Sequence, residues 1–441
     1  MQFNKDNYTV EAVEVNGESF VYHAYRNLVY VDKPVCEEYQ QMNIFVPAVY
    51  YEGKSINGYD QCSAPIFMPN LVGGYMPGKL GEPKVMERNG EKKENTILRA
   101  LMHGYVVAVP AIRGRVLTAE DGSYIGKAPA CIVDYKAAVR FIRFFADELP
   151  GDMSKIITNG TSAGGALSSL MGSTGNHLDY EPYLKEIGAM PARDDVFAVS
   201  CYCPITNLDN ADMAYEWEFG ELTEMEPKVV GELRAAFPEY VNSLELKDDN
   251  GVKLTLNKAG EGTFKEYMEK VVLESAQRVI DNGMDISDKE WLIIEDGKAV
   301  AMSWSEYVKD ITRMKNPPAF DSIFANSYEN DLFGSKNINC CHFTEYSFRN
   351  SRVNGGMAEA TVIKMLNPMN YIDDNSATKA KHYRIRHGER DRDTSLAISA
   401  ILTLKLRMAG VEVNYHSPWD VPHAGDYDLD ELFEWIDNIC K

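Results

Sequence analysis

The chain has 441 residues, 45% hydrophobic and 25% charged, a make-up that suits one large globular domain with an insertion, or two domains. Lys+Arg 45 against Asp+Glu 66 leaves a formal charge of −21, which argues against nucleic acid or an anionic membrane surface as partner. No apolar run approaches the roughly 20 residues that a membrane helix needs.

The N-terminal stretch "MQFNKDNYTVEAVEV" lacks a charged segment followed by an apolar one, so no secretory signal is expected. The eight cysteines are scattered, apart from Cys201-x-Cys203 and the adjacent Cys340-Cys341, and neither pair has zinc-ribbon or thioredoxin-like spacing. Reduced thiols in a cytoplasmic protein are the expectation.

The first hundred residues read as strands. "YTVEAVEV", "ESFVYHAYRNLVYV" and "MNIFVPAVYY" are rich in Val, Tyr, Phe and Ile, and Gly, Pro and Asn break them. "APIFMPNLVGGYMPG" reads as a buried strand entering a glycine loop, and "YVVAVPAIRGR" as a continuous apolar strand of the kind found inside a parallel sheet. Apolar residues at helical spacing over 129–149 predict a helix, with Pro129 near its start. The strand "SKIITN", the helix "GGALSSLMGS" and the strand "VFAVSCYCPIT" follow.

From about Leu208 to Leu366 the character changes to charged, helix-prone segments such as "PKVVGELRAAFPEYVNSL", with scarce strand signals. Strand–helix alternation then returns with "KHYRIRHG", "SLAISAILTLKLRMAG", "VEVNYHSP" and "LDELFEWIDNIC". The expected architecture is α/β, one mostly parallel sheet covered by helices. Residues 1–207 and 367–441 would form it, with 208–366 as a largely helical insertion.

Between "SKIITN" and its following helix lies Gly160-Thr161-Ser162-Ala163-Gly164. A G-x-S-x-G pattern at a strand-to-helix turn is where the nucleophile elbow of an α/β-hydrolase belongs, and small residues must surround the serine there. A tight turn without chemistry would look similar. A serine hydroxyl needs a base and the base an orienting carboxylate, in the chain order Ser, acid, His. His423, after "VEVNYHSPWDVP", lies where that order requires. His387 and His416 sit in or at the ends of strands, His342 and His382 in or near the insertion, and His23, His103 and His177 lie before or beside the serine region. The acid falls in Glu389-Arg390-Asp391-Arg392-Asp393, where Asp391 and Asp393 would point to one side if extended, and spacing leaves both open. The oxyanion hole calls for the Ala163 N–H together with one from the loop after an earlier strand, where Gly73 and Gly74 stand.

"PNLVGGYMPG", "NGTSAGGALS", "YENDLFG", "RHGERDRDTS" and "DVPHAGDYD" together resemble bacterial tannases, esterases of the α/β-hydrolase fold, from about residue 65 to the C-terminus. The resemblance implies Ser162 as nucleophile, His423 as base and Asp391 as triad acid. It implies Lys315, Glu329 and Asp393 as holders of the galloyl ring hydroxyls, and a lid formed by the insertion. Lysine can donate to a phenolic oxygen and carboxylates can accept phenolic protons, so the trio suits a polyhydroxylated ring. Fungal tannases and feruloyl esterases carry cysteines where this chain has Thr161 and Pro422, which aligns it with the disulfide-free bacterial branch. The expectation is a serine esterase for small-molecule galloyl esters, with no motif that demands a metal or cofactor. Alternatives are an esterase for feruloyl or other hydroxyaromatic esters and a non-catalytic binding module. A peptidase with a propeller lacks a repeated blade pattern.

Overall fold

The computed structural model describes residues 3–88 and 91–441. In chain order its strands are β1 (Thr9–Val15), β2 (Glu18–Val29), β3 (Gln41–Pro47), β4 (Pro65–Pro69), β5 (Val85–Arg88), β6 (Glu91–Glu94), β7 (Val106–Pro110), β8 (Asp152–Thr161) and β9 (Ala198–Tyr202). They continue with β10 (Leu292–Glu295), β11 (Lys298–Met302), β12 (Cys341–His342), β13 (Gly356–Met357), β14 (His382–Arg386) and β15 (Glu412–His416).

Nine of these form one sheet in the order β1-β2-β3-β7-β4-β8-β9-β14-β15. The ladders from β1 to β7 are antiparallel, whereas those joining β7, β4, β8, β9, β14 and β15 are parallel. This is the mostly parallel α/β sheet expected from the chain. Composition explains the change of pairing. β4, β7 and β9 are buried at every position, as strands covered on both faces must be, while the edge strand β1 alternates between exposed and partly buried.

The helix expected over 129–149 runs Ala130–Phe144, and the one after the serine runs Ala163–Ser173. "MNIFVPAVYY" leaves the sheet at Pro47 and turns into a 3-10 helix, Ala48–Glu52, closed by Gly53 at φ 70°. Proline has no N–H for a ladder, and glycine accepts the left-handed turn. A short helix, Thr96–Met102, capped by the Asn95 side chain, and the β5–β6 hairpin add to the elements expected there.

Between β9 and β14 the chain is mainly helical, with Leu208–Phe219, Pro227–Ser243, Thr263–Asp281 and Trp304–Ile311 as its longer helices. Trp217, Phe237, Phe264 and Trp304 pack ring on ring inside it, with centroids 5.2–6.1 Å apart. Two small ladders, β10–β11 and β12–β13, also lie here, where strand signals are scarce. β12 and β13 have two residues each, too few for an alternation to show.

Candidate active site

β8 ends at Thr161 and the next helix starts at Ala163, so Ser162 alone makes the turn, at φ 61° and ψ −121°. That is a positive-φ conformation L-residues avoid, and it holds the side chain off the end of the sheet. The surrounding glycines are there because nothing larger fits. A Cβ on Gly160 would lie 2.3 Å from the Gly164 carbonyl oxygen, and one on Gly165 2.6 Å from that of Tyr202. Ala163 opens the helix, so its N–H has no intrahelical acceptor.

The loop after β4 is bolted to this turn. The Asn70 side-chain amide donates to the carbonyls of Asn159 and Gly164 at 3.1 and 3.0 Å. Gly74, at φ 54°, lies beyond it, and the space beside Gly73 and Gly74 is open. Arg115 Nε donates to the Gly74 carbonyl at 2.8 Å and so holds that peptide in one orientation.

Asp391, not Asp393, meets the histidine. His423 Nδ1 and Asp391 Oδ2 are 2.8 Å apart, while Asp391 Oδ1 accepts the Asp393 backbone N–H at 2.8 Å. Asp391 is buried and His423 partly exposed. Gly388 and Gly425 let the two segments close on the elbow. A Cβ on Gly425 would lie 1.8 Å from Thr161 Oγ1, and one on Gly388 2.1 Å from the Val421 oxygen. His423 therefore sits on a segment pressed against the residue before Ser162. Burial draws the His423 pKa down, but its hydrogen bond to Asp391 and its contact with Cys203 outweigh that and leave it raised. Burial pushes the Asp391 pKa up, yet His387 and His423 hold it below its ordinary value.

Cys203, at the end of β9, is a neighbour that sequence reasoning missed. Its Sγ lies 4.0 Å from His423 Nε2 and donates to the Ala424 carbonyl at 3.3 Å. Cys203, Asp391 and His423 offer ligand atoms within 4.8 Å of one another, but Asp391 is already committed to Nδ1 of the ring. Among the described residues the Ser162 hydroxyl makes no hydrogen bond, and a nucleophile–base bond is often formed when substrate arrives.

A carboxylate beside a histidine is not distinctive here, since His103, His177, His342 and His382 have one too. His342 even lies between Asp321 Oδ1 and Ser351 Oγ, 2.8 Å from each. It is fully buried, however, and Asp321 also takes the backbone N–H groups of Phe343 and Thr344, so that trio locks the fold. His423, unlike His342, is partly exposed, and its segment presses on Thr161, the residue before the strained serine.

Lys315 and Glu329 come from the region between β9 and β14. Arg313 forms a buried two-pronged pair with Glu216, 2.7 Å at each contact, and donates from Nε to the Lys315 carbonyl at 2.6 Å. The Tyr215 hydroxyl accepts the Lys315 N–H at 3.1 Å and donates to the Arg392 carbonyl at 2.9 Å. One phenol thus joins the lysine to the segment carrying Asp391 and Asp393. The Lys315 ammonium lies 3.9 Å from the Phe320 ring centre. Glu329 is buried on the helix Tyr328–Leu332, which starts with a Ser327–Asn330 capping box. Asp331 of that helix takes both Arg115 and Lys127, fastening it to the segment that follows β7. Burial raises the Glu329 pKa; Lys315 and Arg115 oppose the rise and Asp393 adds to it. Lys315 and Asp393 thus both bear on the Glu329 carboxyl.

A family model described as BD-FAE matches residues 84–243. No match was found among curated proteins. Among solved structures, a tannin acyl hydrolase from Lactobacillus plantarum is 44% identical, with all of this chain and 98% of that one covered and a TM-score of 0.96. A tannase from Fusobacterium nucleatum is 48% identical, with coverage of 100% and 99% and a TM-score of 0.96. A tannin acyl hydrolase in complex with ethyl gallate is 44% identical, with coverage of 100% and 98% and a TM-score of 0.95.

Proposed function

The chain belongs to the tannase (tannin acyl hydrolase) family of α/β-hydrolase esterases, and from that premise we propose a galloyl-ester hydrolase working through Ser162, His423 and Asp391. Ser162 Oγ attacks the ester carbonyl as His423 Nε2 takes its proton, while Asp391 fixes the proton on Nδ1 and stabilises the imidazolium. The N–H of Ala163 and one from Gly73 or Gly74 stabilise the oxyanion. The imidazolium then protonates the departing alcohol. Water, deprotonated by the same ring, attacks the galloyl-serine and frees gallate and Ser162.

The single observation that supports this most is the 2.8 Å His423–Asp391 contact on a segment packed against the strained serine turn. In our reading Lys315 donates to a ring hydroxyl while Glu329 and Asp393 accept phenolic protons. Residues 208–366 act as the lid that covers the ring. A ring lacking those hydroxyls leaves buried charges unpaired, which supports discrimination of roughly 10⁴-fold. No described helix is long and apolar enough to cross a membrane. All eight cysteines are free, which suits the reducing cytoplasm.

The test is hydrolysis of methyl gallate beside methyl ferulate, with Ser162→Ala as control. Fast gallate turnover, negligible ferulate turnover and an inactive variant are expected. Ferulate turnover equal to that of gallate would overturn the roles of Lys315, Glu329 and Asp393 while leaving the triad standing.

A further inference from the structure

Arg115 stands where the oxyanion loop, the chain after β7 and the insertion meet. That chain is pressed onto the loop carrying Gly73 and Gly74, and Gly78 and Ile112 exchange backbone hydrogen bonds of 2.9 Å in both directions. Gly114 permits the closest approach, since a Cβ there would lie 2.3 Å from the Met76 carbonyl carbon. Arg115 then grips the turn of the loop. Its backbone N–H donates to the Tyr75 carbonyl at 2.9 Å, and its Nε to the Gly74 carbonyl at 2.8 Å.

The turn needs such a grip. Gly74 and Tyr75 stand in succession at φ 54° and 55°, a left-handed conformation that a bulky residue such as tyrosine avoids. Tyr75 is buried, and its hydroxyl donates to the Ile205 carbonyl at 2.9 Å. The Ile205 N–H donates in turn to the Ser162 carbonyl at 3.2 Å, which ties the turn to the serine. Among the described residues the N–H groups of Gly73 and Gly74 have no acceptor, which leaves both free for an oxyanion.

The other end of the guanidinium belongs to the insertion. Nη1 of Arg115 pairs with Asp331, and the guanidinium carbon lies 4.6 Å from the Tyr328 ring centre. Tyr328, Glu329 and Asp331 share one short helix, so Glu329 lies between two residues that Arg115 contacts. Arg115 is buried, and its donors form a rigid planar fork. The geometry of one side chain therefore sets how far the oxyanion loop stands from that helix.

We propose that Arg115 is a positioning residue of the hydrolase, fixing the spacing between the oxyanion loop and the helix that bears Glu329. The inference rests on the galloyl-ester reading above, in which one substrate spans both. A substrate held by its ring brings its carbonyl oxygen to the loop only where that spacing is kept.

The experiment compares Arg115→Lys with Lys127→Gln in steady-state kinetics. Lysine keeps the charge, but a single ammonium cannot serve Gly74 and Asp331 as the fork does, nor lie flat on Tyr328. Lys127 still pairs with Asp331, so that carboxylate is not left bare. For Arg115→Lys, kcat for methyl gallate should fall about 10- to 100-fold with KM within about twofold of wild type, a loss no larger than that of a deleted oxyanion donor. Lys127→Gln takes the other cation from Asp331 and leaves the Gly74 contact intact, so KM should rise while kcat stays within about twofold. 4-Nitrophenyl acetate uses the oxyanion loop without the ring subsite, and Arg115→Lys should lower its kcat/KM as well. Should Arg115→Lys not fold, Tyr328→Leu removes the exposed ring beside the guanidinium and should lower kcat by about two- to fivefold at unchanged KM. A raised KM at unchanged kcat in Arg115→Lys, or equal kcat losses in Arg115→Lys and Lys127→Gln, would overturn the role. A wild type that cleaves 4-nitrophenyl acetate but not methyl gallate would sink the galloyl reading instead, and the acetate rates of the two variants would still decide the grip on the oxyanion loop.

Discussion

Replacing Tyr215 with phenylalanine removes one oxygen from the interior and leaves its ring packing in place. That ring sits 4.7 Å from Phe219 and 6.2 Å from Phe320, and the Arg313 guanidinium lies 5.0 Å from its centre, none of which involves the hydroxyl. What goes is the bridge, namely the Lys315 and Met314 N–H groups at 3.1 and 3.3 Å and the Arg392 carbonyl at 2.9 Å. The 3.3 Å contact is weak, so two bonds of about 1 kcal/mol each are lost. Those two bonds hold Lys315 and the Asp391–Asp393 segment at a common distance. If about 1.4 kcal/mol of the loss falls on ring binding, Tyr215→Phe lowers the preference for methyl gallate over methyl 4-hydroxybenzoate about tenfold. The assay is kcat/KM for both esters with both proteins. A KM rise for gallate with kcat little changed is expected, since the Tyr215 hydroxyl bonds to Met314, Lys315 and Arg392 and not to Ser162 or His423. A variant that is less stable yet keeps the wild-type preference would refute the reasoning and reduce Tyr215 to a structural residue.

Gly425→Ala places a Cβ 1.8 Å from Thr161 Oγ1 and pushes the His423 segment off the elbow, so kcat for methyl gallate should fall about 100-fold, the cost of an ångström-scale misplacement. Asp331→Asn leaves Arg115 and Lys127 without their shared carboxylate and should destabilise the protein by about 3–5 kcal/mol, with a raised KM for gallate because the helix bearing Glu329 loosens. Differential scanning calorimetry and steady-state kinetics read the two effects. The raised His423 pKa puts imidazolium, which cannot accept the serine proton, in the majority up to a pH above 6.5. The acid limb of the kcat/KM profile should therefore lie above 6.5, and in the residual activity of Asp391→Asn it should move to lower pH. A limb unmoved by that substitution contradicts the pairing.

The parts of the site that were legible in the chain are those where local geometry leaves little choice. Gly160, Gly164 and Gly165 around Ser162 are demanded by backbone atoms 2.3–2.8 Å from any added Cβ, and a turn that tight advertises itself in composition. His423 follows from chain order. Asp391 and Asp393 could not be separated by spacing, because the distinction lies in a folded loop where Asp391 reaches the ring and accepts the Asp393 N–H. Cys203 stood out only as half of Cys201-x-Cys203, a spacing that pointed to no chemistry. It arrives beside His423 through the parallel pairing of β9 with β14, across which its N–H meets the Arg386 carbonyl at 2.6 Å. For Lys315 and Glu329 the family resemblance was needed. What positions them is tertiary, the Arg313–Glu216 pair in one case and Asp331 with its two cations in the other.

The central claim is that Ser162 carries the acyl group. Rapid acid quench of the protein turning over methyl gallate, followed by peptide mass mapping, reads it directly. A galloyl group on the peptide containing Ser162, absent in Ser162→Ala, is the predicted result. A galloyl group on the Cys203 peptide instead, or turnover that persists in Ser162→Ala, would contradict it.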